Sequence, residues 1–305
     1  MRCTKCGKEA VFFQEYSGQH LCRQHFVGDL ETKAKRAIRT HHWLSPGDHI
    51  SVGLSGDAAS GALLYFLQGL IAQRRDIRLS AITVDEGIVG FRDPVGAEQW
   101  AASLGVPCIR GSFAERCGHT VDEIVSQEGV QHSCEYCRVI RRHLLQRFAR
   151  EHGVTKLALG TTLDDGAREC LTAFLTGDVE WVIGSSLPVA GRVPVIQPFI
   201  DVPATEVRLY ATLLTGAPAP ATCPYADRSV DADIPVALDE FTRNHPNTKH
   251  ALVNLREHLA DAGGLVAETI PVCTRCGNPY GDRGLEPGVC RQCGMIAGYL
   301  LENSR

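Results

Sequence analysis

Short apolar runs alternate with amphipathic stretches through the central part of the chain. The runs predict strands at 49–54, 78–84, 106–110, 156–159 and 193–199. Stretches whose apolar residues recur every three or four positions predict helices at 58–72, 95–104, 138–151, 164–175 and 204–214. Such alternation is typical of an α/β fold in which helices cover both faces of a parallel sheet.

The composition is that of a folded protein inside the cell. The chain has 305 residues, of which 44% are hydrophobic, and a formal net charge of −4. This length allows about two domains. No apolar run reaches the ~18 residues of a membrane span, and the polar start lacks the pattern of a signal peptide. We therefore expect a soluble, cytoplasmic protein with no membrane partner, in which any binding of nucleic acid depends on local basic surface.

Two groups of cysteine and histidine have the spacing of structural zinc sites. Thirteen cysteines in a chain without a secretory signal favour metal binding over disulfides. The candidate zinc ligands are Cys3, Cys6, Cys22 and His25 near the start, and Cys273, Cys276, Cys290 and Cys293 near the end. Four ligands in two close pairs suit a closed tetrahedral site, which is structural because it has no open position. The alternative is a set of buried thiols that bind no metal.

Three further cysteines, Cys134, Cys137 and Cys223, lie in the central part of the chain. Three thiols without a fourth suit an iron–sulfur cluster with one open iron, or a transient disulfide relay. The alternative is a set of buried, inert thiols. The residues alone leave these interpretations open.

Two turns that follow predicted strands carry candidate chemistry, because ligands of open α/β sheets bind beyond the carboxyl ends of the strands. Small residues and hydroxyls at 55–60 could bring backbone N–H groups close to a phosphate. A simple helix cap by Ser55 or Asp57 explains them equally well. Asp164 and Asp165 open a later helix, where carboxylates could hold Mg²⁺ or could act as helix caps.

Basic residues form two groups that nucleic-acid phosphates could contact. Arg138, Arg141 and Arg142 share one helix face because they are three and four positions apart. The second group is Lys33, Lys35, Arg36 and Arg39. Cations of this kind bind phosphates, although a solvated, charged helix is the more frequent reason for such runs.

Several motifs occur together, in one order, along the whole chain. They are the first zinc set, the Ser-Gly…Ser turn at 55–60, Cys134-Glu-Tyr-Cys137 followed by Arg141-Arg142, Gly160-Thr-Thr-Leu-Asp164-Asp165, Gln197-Pro198, Cys223-Pro224-Tyr225, His245-Pro246-Asn247-Thr248-Lys249 and the second zinc set. In these motifs the chain resembles the tRNA 2-thiouridine synthetases of the PP-loop ATPase superfamily, the group with two zinc fingers and an iron–sulfur cluster.

The resemblance implies three parts. They are an N-terminal zinc finger at 1–30, a PP-loop ATPase-like catalytic domain at 31–265 with a basic helical lead-in at 31–44, and a C-terminal zinc ribbon at 266–305. It also implies two zinc ions, a [4Fe-4S] cluster, and ATP with Mg²⁺. The implied reaction is tRNA uridine 2-thiolation: ATP adenylates the C2 oxygen of the base, and sulfur from sulfide or a ubiquitin-like carrier protein then displaces AMP. Such enzymes often form homodimers.

The resemblance further implies roles for individual residues. Cys134, Cys137 and Cys223 would hold the cluster. Ser55, Gly56, Ser60 and Gly160 would contact the nucleotide. Arg141 and Asp165 would act as catalytic residues that flank the reacting phosphates. The tRNA would lie on the basic residues, namely Lys33, Lys35, Arg36, Arg39 and Arg142.

The turn at 55–60 departs from the family pattern. The family has Ser-Gly-Gly-Lys-Asp-Ser, whereas this chain has Ser-Gly-Asp-Ala-Ala-Ser. A carboxylate at Asp57 about 4 Å from a phosphate charge would cost ~4 kcal/mol at an effective dielectric constant of about 20, unless its side chain turns away as a helix cap. Ala58 removes a cation, and Gln197 stands where a lysine often precedes the proline. Two hypotheses follow: an active thiolase with an unusual loop, or a non-catalytic paralogue that retains zinc, cluster and tRNA binding but has lost ATP activation.

Overall fold

A five-stranded parallel sheet forms the centre of the protein. The computed structural model describes residues 1–130, 133–177, 192–215, 222–226, 233–263, 271–275, 287–290, 293–294 and 297. An antiparallel hairpin of β1 (Phe12–Gln14) and β2 (Gln19–Leu21) precedes the sheet. The sheet strands are β3 (His49–Gly53), β4 (Arg78–Asp85), β5 (Cys108–Ser112), β6 (Lys156–Ala158) and β7 (Val195–Ile196). Their order across the sheet is β5-β4-β3-β6-β7.

Helices cover both faces of this sheet, as the sequence predicts. Those of the described residues are α1 (Arg23–Thr40), α2 (Ala58–Ile71), α3 (Pro94–Ser103), α4 (Phe113–Cys117), α5 (Val121–Glu128), α6 (Ser133–Glu151), α7 (Leu163–Thr176), α8 (Ala204–Thr215), α9 (Asp233–Asn244) and α10 (Thr248–Gly263). Ala81 belongs to an apolar cluster with α1, α2 and α8, and the next residue, Ile82, belongs to a second cluster with α5 and α6. This is the alternation expected along a strand that is buried on both faces. Within the described part of the chain, no helix is both long and apolar enough to cross a membrane.

The central pair of cysteines lies inside a helix rather than before one. Helix α6 begins at Ser133, whereas the sequence predicts a start at 138. Cys134 and Cys137 therefore lie at the amino end of α6. Because they are three positions apart, their side chains project from neighbouring positions on one side of the helix.

Strand β7 is shorter than predicted. It contains only Val195–Ile196, whereas the apolar pattern predicts a strand over 193–199. Pro194 and Pro198 flank it on either side. The Pro194 carbonyl still accepts from the Leu157 N–H at 2.9 Å, but neither proline has an N–H to donate to a neighbouring strand.

Helix α1 joins the N-terminal ligand segment to the sheet. It runs without a break from Arg23 to Thr40 and so spans the domain boundary that the sequence predicts between residues 30 and 31. The division of the chain into domains stays a prediction. Tyr16 and Lys33 both bind Glu206 of α8, which is only 1% exposed. Tyr16 Oη donates to Glu206 Oε1 at 2.6 Å, and Lys33 Nζ donates to Glu206 Oε2 at 2.9 Å. A buried carboxylate with two such partners holds the N-terminal segment against α8.

Two glycines of α2 give a matched test of the packing against α3. A Cβ at Gly61 would lie 2.1 Å from ring atoms of Trp100, whereas a Cβ at Gly69 would have no heavy atom within 4 Å. Gly61→Ala is expected to lower the free energy of unfolding by about 1–3 kcal/mol through overpacking. Gly69→Ala is expected to raise it by about 0.5–1 kcal/mol, because alanine is the better helix former. Urea unfolding followed by circular dichroism measures both; unchanged stability in Gly61→Ala would contradict the close contact.

Candidate functional site

The turns that follow β3 and β6 lie against each other at the carboxyl edge of the sheet. The two strands are parallel neighbours, so the residues that follow them emerge side by side. A Cβ at Gly160 would lie only 2.8 Å from the backbone carbon of Ala59 and 2.9 Å from the backbone nitrogen of Ser60. Glycine permits this approach because it has no Cβ. The structure thus brings together the predicted nucleotide contacts Ser55, Ser60 and Gly160, and Gly56 provides the turn with a left-handed φ of 80°.

Asp57 caps α2 with a carboxylate that lies inside the turn. Its Oδ1 accepts a hydrogen bond from the Ser60 backbone N–H at 2.7 Å, and its Oδ2 accepts one from Ser55 Oγ at 2.7 Å. Burial acts to raise the pKa of Asp57, but these hydrogen bonds outweigh it and hold the pKa below its ordinary value, so the carboxylate is charged. The helix-cap interpretation is confirmed. The cap also occupies the Ser60 N–H, one of the free donors at the amino end of the helix.

A cavity of about 860 Å³ opens at this edge of the sheet, a size typical of ligand sites. The predicted site residues that line it are Ser55, Ser60, Cys134, Cys137, Arg141, Arg142, Gly160, Asp165 and Cys223. The arginines that line it are Arg92, Arg138, Arg141, Arg142, Arg168, Arg192 and Arg256. One cavity therefore combines the turn after β3, three thiols and a wall in which these arginines lie among the carboxylates Asp57, Glu86, Asp165, Glu169 and Glu257.

The three central cysteines reach this cavity from two separate parts of the chain. Cys134 and Cys137 come from α6, and Cys223 packs against the apolar cluster that contains Cys137. Among the described residues, the groups whose ligand atoms lie within 4.8 Å of one another are the two terminal sets, and this trio is not one of them. Such spacing does not suit one shared ion; in a cluster, each thiolate would bind a different iron. Arg141 Nη2 donates to Cys137 Sγ at 3.4 Å. Burial raises the pKa of the Cys137 thiol, and the nearby charge of Arg141 offsets this only in part.

A buried glutamate orients two of the arginines. Glu86 is 2% exposed, forms an ion pair with Arg92, and has its Oε1 3.5 Å from Arg141 Nε. These contacts fix the direction of the Arg141 guanidinium, a predicted catalytic group. The sequence analysis missed Glu86 and Arg92 as site residues. The available signal was the position of Glu86 directly after a buried strand.

Asp164 and Asp165 both have partners in the protein. Asp165 forms a capping box with Thr162, whose backbone N–H donates to Asp165 Oδ2 at 3.0 Å. Asp164 accepts from Lys249 Nζ at 2.7 Å and from the Ala204 N–H at 2.6 Å. Burial acts to lower the pKa of Lys249, but hydrogen bonds to carboxylates, including Asp164, outweigh it and raise that pKa, so the pair is ionic. These local contacts explain both carboxylates, and Asp165 also lines the cavity.

The N-terminal ligand set has the geometry of a tetrahedral metal site. Cys3 Sγ lies 3.3 Å from His25 Nδ1, and Cys22 Sγ lies 3.5 Å from the same nitrogen. Cys6 Sγ lies 3.7 Å from Cys22 Sγ. Zinc, with bonds of about 2.3 Å to sulfur and about 2.0 Å to nitrogen, spaces tetrahedral ligands by roughly 3.5–3.8 Å. The four residues therefore fit zinc.

The C-terminal set is close-packed in the same way. Cys273, Cys290 and Cys293 are buried, and their sulfur atoms lie within 4.8 Å of one another. The backbone N–H of Cys290 donates to Cys273 Sγ at 3.3 Å, and that of Cys293 donates to Cys290 Sγ at 3.4 Å. Cys276, the predicted fourth ligand, lies outside the described residues. The three described thiols fit zinc as well.

The predicted RNA-contact residues of α1 differ in how free their charges are. The side chain of Lys33 is 15% exposed and its ammonium lies between two carboxylates, 2.9 Å from Glu206. It stabilises the fold and is poorly placed to meet a phosphate. Arg36 is 64% exposed, with its Nη2 3.7 Å from Asp201 Oδ2, and Lys35 Nζ lies 2.9 Å from Glu31 Oε2 at the surface. Arg39 is exposed as well.

Comparisons with known proteins extend over nearly the whole chain. The sequence model of the family described as "2-thiouridine synthetase TtuA, N-terminal LIM domain" matches residues 2–27. The chain is 34% identical to the tRNA 2-thiolation protein NcsA of Haloferax volcanii, over 97% of this chain and 98% of that protein. The chain belongs to the tRNA 2-thiolation protein family.

Further similarities to the tRNA 2-thiolation family cover the same length. Cytoplasmic tRNA 2-thiolation protein 1 of Saccharomyces cerevisiae is 28% identical over 99% of this chain and 87% of that protein. The solved structure of U34-tRNA thiolase NcsA from Methanococcus maripaludis with its [4Fe-4S] cluster is similar, with a TM-score of 0.79 and 29% identity over 97% of this chain and 96% of that one. The expected α/β fold and the resemblance stated from the motifs are both confirmed. Relatives are named tRNA 2-thiolation protein and tRNA 2-sulfurtransferase, which supports a sulfurtransferase enzyme, the first of the two hypotheses from the sequence.

Metal content tests the terminal sites of this tRNA 2-thiolation family member. A Cys3→Ser, Cys22→Ser double variant is expected to hold about one zinc per chain where the unchanged protein holds about two, because two of four ligands are lost. Cys108→Ser is the matched control. Burial raises the pKa of Cys108 to about 11, so it stays an uncharged thiol and its loss should remove no metal. Elemental analysis of the purified proteins measures this; an unchanged zinc content in the double variant would contradict the first site.

Proposed function

We propose that the protein is a sulfurtransferase that uses ATP to convert a tRNA uridine, at position 34, to 2-thiouridine. Membership of the tRNA 2-thiolation family supports the reaction, and the similarity to a thiolase named for U34 supports the position. The name of the yeast relative supports a cytoplasmic location.

The observation that carries this proposal is the shared cavity. The turn at 55–60, the glycine after β6 and three cysteines from distant segments all line it. A nucleotide at the turn and a sulfur-binding group at the cysteines would then lie in the same space. Activation of a base by ATP and delivery of sulfur to it need this proximity.

The proposed chemistry has two steps. The uridine C2 oxygen attacks the α-phosphorus of ATP, and pyrophosphate leaves with the electron pair of the broken P–O bond. Sulfur then attacks C2, a C–S bond forms, and AMP leaves with the electrons of the broken C–O bond. Ser55, Ser60 and Gly160 would contact the nucleotide, and Arg141 would balance the negative charge that develops on the phosphates. Asp165 also lines this cavity, where it would be the acidic partner of ATP-Mg²⁺.

A [4Fe-4S] cluster held by Cys134, Cys137 and Cys223 would supply an iron with no protein ligand, to which sulfide can bind. The contribution of the chain is to hold three thiols at the cavity wall and to keep Cys137 beside Arg141. The sulfur would come from sulfide or from the thiocarboxylate of a ubiquitin-like carrier. The two zinc ions would be structural, because their ligand sets are closed.

The tRNA would reach the cavity across exposed basic side chains. Arg36, Lys35 and Arg39 lie at the surface of α1, and Arg142 lies at the cavity itself. With a net charge of −4, the chain depends on such local groups to attract RNA. Lys33 is not part of this proposed surface, because its ammonium group forms an ion pair with the buried Glu206.

The reaction is tested with anaerobically reconstituted protein, tRNA, ATP-Mg²⁺ and sulfide. AMP and 2-thiouridine are expected in equal amounts, since one adenylate is consumed per sulfur. Cys223→Ser should lose thiolation and the visible absorbance of the cluster while keeping its zinc, and Cys108→Ser should keep all three. Thiouridine without AMP would contradict the adenylation step. Binding of tRNA without either product would instead favour the non-catalytic paralogue.

Asp57 gives a direct test of whether the turn faces phosphate. Asp57→Gly removes a negative charge that would weaken binding of a phosphate about 4 Å away by up to ~4 kcal/mol. The loss of the helix cap costs only a few tenths of a kcal/mol, because glycine is itself tolerated at this position. The affinity for ATP, measured by titration calorimetry with a non-hydrolysable analogue, is expected to rise at least about tenfold. The control Ser112→Ala removes the cap of α4, which does not line the cavity, and should leave that affinity unchanged. An unchanged affinity in Asp57→Gly would show that phosphate binds elsewhere.

A further inference from the structure

Arg256 of α10 is buried at the wall of the same cavity and forms no ion pair with the residues that the structure describes. Arg256 is 6% exposed, and its Nε has no hydrogen-bond acceptor in the described structure. Its Nη2 reaches Gln197 Oε1 only at 3.5 Å, the outer limit of a hydrogen bond. A guanidinium has five N–H donors, so most of the capacity of this group is unused by the described residues.

The described carboxylate that interacts with this charge is Glu257, whose pKa is lowered first by the hydrogen bond from His41 and to a smaller extent by Arg256. Within the described residues, no ion pair includes Arg256, and the neighbouring Glu257 lies with its Oε1 3.6 Å from His41 Nε2. Burying a cation is costly unless an anion or a full set of hydrogen bonds accompanies it. A buried guanidinium that lines a cavity and forms no ion pair within the described part of the chain therefore indicates a site for an anion from outside the chain.

Short contacts connect this arginine to the nucleotide turn. Gln197, which Arg256 approaches, donates from Nε2 to Thr161 Oγ1 at 3.2 Å. Thr161 follows Gly160, the residue that lies against the backbone of Ser60. Arg256 is thus positioned beside the loops that follow β6 and β7. Glu86 and Arg92 follow β4, which lies on the other side of β3 in the order of the sheet.

We propose that the Arg256 guanidinium binds a phosphate group in this cavity, in the first instance a phosphate of ATP. It supplies a positive charge that the turn itself lacks, since Ala58 and Gln197 stand where the family pattern has lysines. A planar guanidinium can donate two parallel hydrogen bonds to phosphate, which a lysine cannot do. The inference deepens the proposed function because it assumes that this cavity receives ATP.

The test compares ligands with and without phosphate. Arg256→Gln is expected to weaken binding of a non-hydrolysable ATP analogue about ten- to a hundredfold, while binding of adenosine stays the same. Arg256→Lys keeps the charge without the planar fork and should lose less; it also serves if the glutamine variant does not fold. The matched control is Arg110→Gln, an exposed arginine 3.6 Å from Glu98 and outside the cavity, which should change neither affinity.

The outcomes separate the two sources of phosphate from a structural role. Loss of ATP affinity with adenosine affinity kept would support the proposal with ATP as the source. Loss of tRNA affinity with ATP affinity kept would support a phosphate site that serves the RNA backbone. The proposal would be overturned if the affinities for the ATP analogue and for adenosine fell equally. It would also be overturned if the affinities for the ATP analogue and for tRNA both stayed unchanged. None of these readouts requires thiouridine to form, so failure of the thiolation reaction is distinguishable from failure of this inference.

Discussion

The parallel pairing of β3 with β6 determines where the chemistry of this protein can take place. The pairing directs two turns to the same edge of the sheet, and the absent side chain of Gly160 lets one backbone approach the other to within van der Waals contact. A side chain at that position would have to displace backbone atoms of the turn after β3. Because both turns then face one cavity, groups that are far apart in sequence act in a common space.

Within that space, the distribution of charge differs from the family pattern in a consistent way. The turn has gained a carboxylate, Asp57, which is satisfied by its own hydroxyl and N–H donors. Cations lie on the surrounding elements instead: Arg92 and Arg141 both contact Glu86, and Arg256 lies on α10. Positive charge thus approaches the cavity from its walls rather than from the turn. An unusual loop is in this way compatible with a site that binds a polyanion.

The sequence was informative where the determinants are local. Paired spacing predicted the set around Cys3, because a knuckle is formed by neighbouring residues. The capping role of Asp57 was one of two interpretations, and the direction of its side chain confirms it, whereas nucleotide binding by the same turn stays a proposal. The approach of Cys223 to the cysteines of α6 cannot be obtained from spacing and came from the family resemblance. Arg256 was missed because an arginine in a helix is usually solvated, and only tertiary packing buries it.

The central claim is that one cavity holds both the nucleotide and the iron–sulfur cluster. The most direct measurement is a crystal structure of the anaerobically reconstituted protein with a non-hydrolysable ATP analogue, recorded with anomalous data at the iron edge. The account predicts iron density beside the sulfur atoms of Cys134, Cys137 and Cys223, and the nucleotide against Gly160 in the same cavity. Iron bound elsewhere, or a nucleotide outside this cavity, would contradict it.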